Sequence, residues 1–265
     1  MAGQVVVVTS GKGGVGKTTT TANLGTALAM MEKRVCLIDA DIGLRNLDVV
    51  MGLENRIVYD IVDVVEGNCR LEQALIRDKR HNNLFLLPAA QTRDKTAVTP
   101  FQMKELIETL KEDMDYVLVD SPAGIEQGFK NSISGADRAV IVTTPEVSAV
   151  RDADRIIGLL ETEGLRDPEV IINRIRPDMV NRGDMMDIDD MIEILAINLL
   201  GIVPEDENIV ISTNRGEPIV LKAEKSKAGN AFHNIARRLD GEELPLMSLE
   251  KDSFIVKLKK IVGLS

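Results

Sequence analysis

The octapeptide Gly11–Thr18, GKGGVGKT, sets four glycines, two lysines and a threonine at the spacing G-x-x-x-x-G-K-[ST]. It follows the apolar run QVVVVTS and precedes the helical stretch TTTTANLGTALAMM, which is the context that this motif requires. Glycines let backbone N–H groups turn inward on phosphate oxygens, and the start of the helix adds partial positive charge. The loop is therefore expected to cradle a nucleotide through Gly11, Lys12, Gly13, Gly14, Val15, Gly16, Lys17, Thr18 and Thr19. Lys17 suits the β- and γ-phosphates, and the Thr18 hydroxyl suits Mg2+. Lys12 is a surplus cation: two lysines on one small loop repel each other unless a polyanion is bound.

Carboxylates stand at the ends of two further apolar runs. RVCLIDAD carries Asp39 and Asp41; Asp41, just past the strand, is the better placed to orient an attacking water, with Asp39 supporting the loop. DYVLVDSPAG ends in Asp120, a metal ligand by position, and the following Gly124 is where a phosphate-sensing switch would move.

The runs that must position these groups are short and β-branched: QVVVVTS, RVCLIDAD, LFLLPA, DYVLVDSPAG, RAVIVTTP, EVIINRI and LLGIVPED. Most are separated by stretches of 3.6-residue periodicity, such as FQMKELIETLKEDM and VRDADRIIGLLETEG. Continuous apolar strands are buried on both faces, which predicts an α/β fold, three-layered and doubly wound, with a mainly parallel sheet. Ligands in such sheets bind at the carboxyl ends of strands, where the residues above lie.

Composition narrows the function. The chain has 265 residues, 44% hydrophobic, enough for a substantial core. A formal net charge of −10 and only 3% aromatic residues argue against non-specific nucleic-acid binding and base stacking. Cys36 and Cys69 form no metal spacing and fit a reducing compartment. No apolar run is long enough to span a bilayer, and the start has no charged region or cleavage site of a secretory peptide.

The string KGGVGKTTTTANLG resembles the deviant Walker A loop of the ParA/MinD ATPases, and the resemblance extends over nearly the whole chain. It implies an ATPase that binds ATP with Mg2+ and acts as a face-to-face homodimer, Lys12 reaching across to the partner's nucleotide. It implies catalytic roles for Lys12, Lys17 and Asp41, a first switch at Asp39 and Asp41, and adenine contacts at Asn173 of IINRI and Pro204 of GIVPED. The segment EVSAVRDADRIIGLLE is similar to the helix that contacts MinC and MinE in the MinD branch, with Arg151, Asp152 and Asp154 on its outer side.

The last residues, SFIVKLKKIVGLS, distinguish the branches. On a helical wheel Phe254, Ile255, Leu258, Ile261 and Val262 fall within roughly 120°, with Lys257, Lys259 and Lys260 outside it. That is the pattern of an amphipathic helix lying in a lipid interface, and it is similar to the membrane-targeting tail of the MinD branch. The expected organisation is an ATPase domain over 1–243, a linker over 244–252 and a membrane tail over 253–265. The expected setting is the cytoplasm and the inner face of the cell membrane, or a plastid stroma and inner envelope. The alternative is a ParA-like ATPase that segregates DNA, for which the same tail would be a core helix; a passive membrane adaptor that binds nucleotide without turnover is a third reading.

Overall fold

The computed structural model describes residues 3–125 and 127–246. Eight strands form one sheet: β1 (Gln4–Thr9), β2 (Val35–Asp39), β3 (Ile76–Arg77), β4 (Leu84–Leu87), β5 (Tyr116–Asp120), β6 (Arg138–Thr143), β7 (Glu169–Ile175) and β8 (Asn198–Pro204). Their order is β3-β4-β2-β5-β1-β6-β7-β8. Every pairing is parallel except that of the edge strand β3 with β4. The fold is the doubly wound α/β arrangement that the apolar runs imply. The runs missed β3, because two residues are too few to show any period.

The helices are α1 (Lys17–Met30), α2 (Leu47–Met51), α3 (Ile61–Val65), α4 (Leu71–Ala74), α5 (Pro100–Asp113), α6 (Gln127–Ile133), α7 (Val147–Thr162), α8 (Pro177–Asn181), α9 (Ile188–Leu195), α10 (Glu207–Thr213) and α11 (Lys227–Leu239). A 3-10 segment, Ile219–Lys225, precedes α11.

Strand β1 shows why the sheet must be covered twice. Val5, Val6, Val7 and Val8 are all fully buried. Val5 and Val7 pack in the layer that holds Met103 and Ile107 of α5 and Ile156 and Leu160 of α7. Val6 packs in the opposite layer with Leu24 and Leu28 of α1 and Phe232 and Ile235 of α11. Period-two alternation sends neighbours to opposite faces, so a polar residue at either parity would be buried without a partner.

Local chemistry fixes the helix starts. Thr99 caps α5, Pro100 occupies the first helical position, and Gln102 returns a bond to the Thr99 N–H at 3.0 Å. Asp206 caps α10 through the Asn208 N–H at 2.9 Å and also accepts from the Ser226 hydroxyl at 2.8 Å. Arg80, in the turn before β4, donates to Gly216 O at 2.9 Å, after α10, and to Met51 O at 2.8 Å, in α2. These bonds link the end of α2 to the turn after α10.

Helix α11 ends at Leu239, and residues 242–246 carry no regular structure. The expected tail, with Phe254, Ile255, Lys257, Leu258, Lys259, Lys260, Ile261 and Val262, lies outside the described residues. Among the described residues no helix is long and apolar enough to cross a membrane.

Candidate active site

The loop between β1 and α1 is fastened on three sides. Val15 is buried with Val8, Val142 and Ala149. The Asn173 amide donates to Val15 O at 2.8 Å. Gly16 has φ 97°, and a Cβ there would stand 2.3 Å from Asn173 Nδ2, so glycine is required both for the backbone and for the contact. Gly11 is pressed on α7 in the same way: a Cβ would lie 2.3 Å from the carbonyl oxygen of Asp152. Gly11 and Val15 thus seat the loop, while Lys12, Gly13, Gly14, Gly16, Lys17, Thr18 and Thr19 line an open cleft of about 490 Å³. The first turn of α1 leaves backbone N–H groups without intrahelical acceptors there.

The two lysines of the loop have separate surroundings. Lys17 is buried, with Nζ 3.2 Å from Asp120 Oδ1. Thr21 donates to the same carboxylate oxygen at 3.1 Å. Lys12 is exposed and donates to Glu146 Oε2 and Ser148 Oγ, both at 3.2 Å, at the head of α7. Glu146 stands at the N-cap position of α7 without capping it, because its carboxylate is turned to Lys12.

Register sets the carboxylates. Asp39 of β2 lies opposite Asp120 of β5, so two acids share neighbouring strand ends. Asp39 is buried and accepts N–H bonds from Asp41 at 3.0 Å and from Asn46 and Leu47 at 3.1 Å. It therefore shapes the loop that leads into α2. Burial first, then the Asp120 charge, pushes its pKa up to about 7, against the pull of those three N–H groups. Asp41 is half-buried and lines the cleft with Leu44, Asn46 and Val50. Burial raises its pKa and Asp120 adds to that, while Lys17 and Lys95 lower it. Gly124, with φ 92°, donates its N–H to Ser10 O at 3.4 Å, next to Ala123 in the cleft wall.

A second cavity of about 470 Å³ adjoins the first and is lined by Gly16, Thr19, Asn173, Arg174, Glu205, Asp206, Glu207, Ile209 and Val210. Pro204 does not line it. It is buried in the ladder opposite Ile175, and the cavity wall at that strand end begins one residue later, at Glu205. A larger open depression of about 820 Å³, around Arg34, His81 and Phe85, lies at the opposite end of β2 and β4, away from all these groups.

Outside the cleft, Arg151 and Asp154 of α7 are exposed and Asp152 is partly buried, 3.6 Å from Arg155. Glu146, Ser148, Arg174 and the Glu205–Glu207 acids escaped the reading of the sequence. Each stands one to five residues past a strand end or at a bulge, so the strand-end rule carried further would have found them.

The residues that could hold a Mg2+ ion are Thr18, which lines the cleft, and Asp120, which is buried with its Oδ1 against Lys17 and Thr21. Two such oxygen groups suit a cation that otherwise keeps waters and phosphate oxygens. Lys17 and the glycine cradle fit the phosphates that would accompany it. Such a sheet, with a glycine cradle after its central strand, defines a P-loop nucleotide-binding protein.

Comparison with known proteins agrees. The model of the CobQ/CobB/MinD/ParA nucleotide binding domain matches residues 6–219. The septum site-determining protein MinD of Bacillus subtilis is 59% identical over 265 residues, covering 98% of each chain. The MinC:MinD cell division protein complex of Aquifex aeolicus superposes with a TM-score of 0.86 at 54% identity, over 92% of this chain and 98% of that one. The septum site-determining protein MinD complexed with Mg-ADP from Pyrococcus horikoshii gives 0.82 at 30% identity, over 90% and 96%. The chain belongs to this nucleotide-binding family and, within it, to the MinD group of septum site-determining ATPases.

Proposed function

We propose that the chain is an ATP-driven membrane switch for placing the division site. ATP with Mg2+ occupies the two adjoining cavities, the phosphates on the loop and the base beside Asn173. Lys17 neutralises phosphate charge and Thr18 and Asp120 hold the metal, which supplies further charge neutralisation when bound. Asp41 orients the attacking water. Two chains close face to face, Lys12 of each reaching the partner's nucleotide, and two copies of the tail then hold an anionic membrane surface.

The observation that carries this reading is the division of labour between the lysines: Lys17 lies buried against Asp120, whereas Lys12 is exposed and pairs only at the rim. Lys12 lines the same cleft, but its ammonium is turned out to the head of α7, where a second chain's nucleotide would meet it. MinC is the proposed partner on the strength of the Aquifex complex, and MinE, which would stimulate hydrolysis and release, follows from the family resemblance. Both fit the outer face of α7 at Arg151 and Asp154, with Asp152, which packs on Gly11, at its edge. That helix touches the loop at Gly11 and Lys12, so a partner bound outside has a short mechanical route to the site.

Sedimentation with anionic liposomes in ATP, in ADP and without nucleotide tests the switch. Pelleting in ATP alone is expected; equal pelleting in ATP and ADP would overturn it.

A further inference from the structure

The two cavities share three lining residues, Gly16, Thr19 and Arg174, so Arg174 carries the one charged side chain that borders both. The backbone is bent to put it there. Arg174 adopts φ 58°, a left-handed conformation that disfavours any residue with a Cβ. The pairing of β7 with β8 slips between Ile172 and Ile175, around this residue. Asn173 holds the bend, its Oδ1 accepting the Arg174 N–H at 3.0 Å while its Nδ2 fastens the glycine loop.

The guanidinium is exposed, and among the described residues it has no hydrogen bond or ion pair. Three acids share its cavity, and none of them pairs with it: Glu205 reaches Arg176 at 3.6 Å, Asp206 caps α10 and accepts from Ser226, and Glu207 lines the wall. Of the loop cations, Lys17 lies deep against Asp120 and Lys12 is turned to α7. Neither stands where the base cavity meets the phosphate cleft.

We propose that Arg174 is a nucleotide-binding residue whose guanidinium pairs with the phosphate nearest the sugar, in its own chain. A planar fork of donors suits phosphate oxygens better than a lysine would. The strained bend then serves to hold that fork over the junction of the cavities. The assignment rests on the nucleotide reading above.

Arg174→Gly is the informative variant, because glycine accepts the left-handed backbone and the protein should melt no lower than its parent. Calorimetric titration with ADP and AMP in Mg2+ should show affinity reduced by about tenfold or more for both, the size expected of a lost charged hydrogen bond. Adenosine, which has no phosphate, should bind the variant and the parent alike, and Arg174→Lys should recover part of the loss. ADP binding within about twofold of the parent would overturn the proposal. So would an equal loss for adenosine, which would mean a role in cavity shape. Lys17→Ala, run in parallel, separates the two levels: if it also binds ADP normally the nucleotide site itself is misread, and if it alone loses ADP only the Arg174 assignment fails.

Discussion

Lys12 Nζ lies 3.2 Å from Glu146 Oε2, joining the glycine loop to the head of α7 within one chain. The side chains are 43% and 60% exposed, so the pair is solvent-screened and adds little to stability. Its significance is competitive: a lysine held by Glu146 and Ser148 must leave them to serve a partner's nucleotide. Lys12→Ala should keep ADP binding and melting temperature near those of the parent while losing ATP-dependent dimerisation and hydrolysis. Glu146→Gln should loosen the tether and let dimers form at lower ATP concentration, as light scattering would report. A Lys12→Ala protein that hydrolyses ATP normally would remove Lys12 from the mechanism.

Asp39 makes a pH prediction of definite sign. Its folded pKa of about 7 lies above the ordinary value of 3.8, because the ionised form is buried beside Asp120. The folded chain therefore holds this proton more tightly than the unfolded chain does. The stabilisation is full below the unfolded pKa and is lost as pH rises through the folded one. Asp39→Asn cannot ionise. Its one acceptor oxygen can keep the Asn46 and Leu47 N–H bonds, but its NH2 then faces the Asp41 N–H. The variant therefore starts from a lower melting temperature, and the comparison is of pH dependence. Relative to the parent, the variant should gain melting temperature as pH rises from about 4 to about 7, between the unfolded and folded pKa values. Parallel profiles across that window would show that Asp39 does not titrate there.

What the sequence reveals depends on the range of the interaction that decides each feature. The glycine loop and the strand ends are legible because backbone conformation and double-sided burial act locally: Gly16 needs its φ, and Val5–Val8 need two covered faces. The pairing of Asp39 with Asp120 is not legible, since it depends on β5 entering between β2 and β1 in one register. Pro204 depends on the same long-range pairing: the ladder sets it opposite Ile175 and buries it, and the residue that lines the cavity is Glu205, one further on. Arg174 was hidden by the bulge, because strict alternation through IINRI gives no sign of a left-handed residue. The grip of Glu146 on Lys12 spans 134 positions, which no local pattern encodes.

Asp41 separates binding from turnover. It lines the cleft at the edge of the loop that Asp39 holds, outside the glycine cradle. Removing its carboxylate leaves the cradle, Lys17 and Asp120 in place. Asp41→Ala should therefore bind ATP and dimerise, yet release phosphate at least about a hundredfold more slowly, in line with losing a positioned catalytic group. It should also stay on liposomes after the parent has left. Rapid hydrolysis by this variant would assign the water to another residue.

The tail predicts a switch that works by being weak. As a helix in the interface, SFIVKLKKIVGLS would bury five apolar side chains only in part. Full burial of each is worth roughly 1.5–3 kcal/mol, while ordering each residue costs about 1–2 kcal/mol. Each lysine adds about 1 kcal/mol at an anionic surface, screened by salt. One tail then holds only marginally, much as a single acyl chain does. Two tails on one dimer make the second contact intramolecular and raise avidity by roughly 10²–10⁴. Dimerisation alone can thus place or release the protein, and a stronger tail would hold the ADP-bound monomer as well. Ile261→Glu sets a charge in the middle of the apolar stripe. It should abolish liposome pelleting while ATP-dependent dimerisation survives, and pelleting of the parent should weaken as salt rises. If the Ile261→Glu protein pellets as the parent does, the membrane contact lies elsewhere in the chain; if dimerisation is lost with it, the tail belongs to the dimer and not to the lipid.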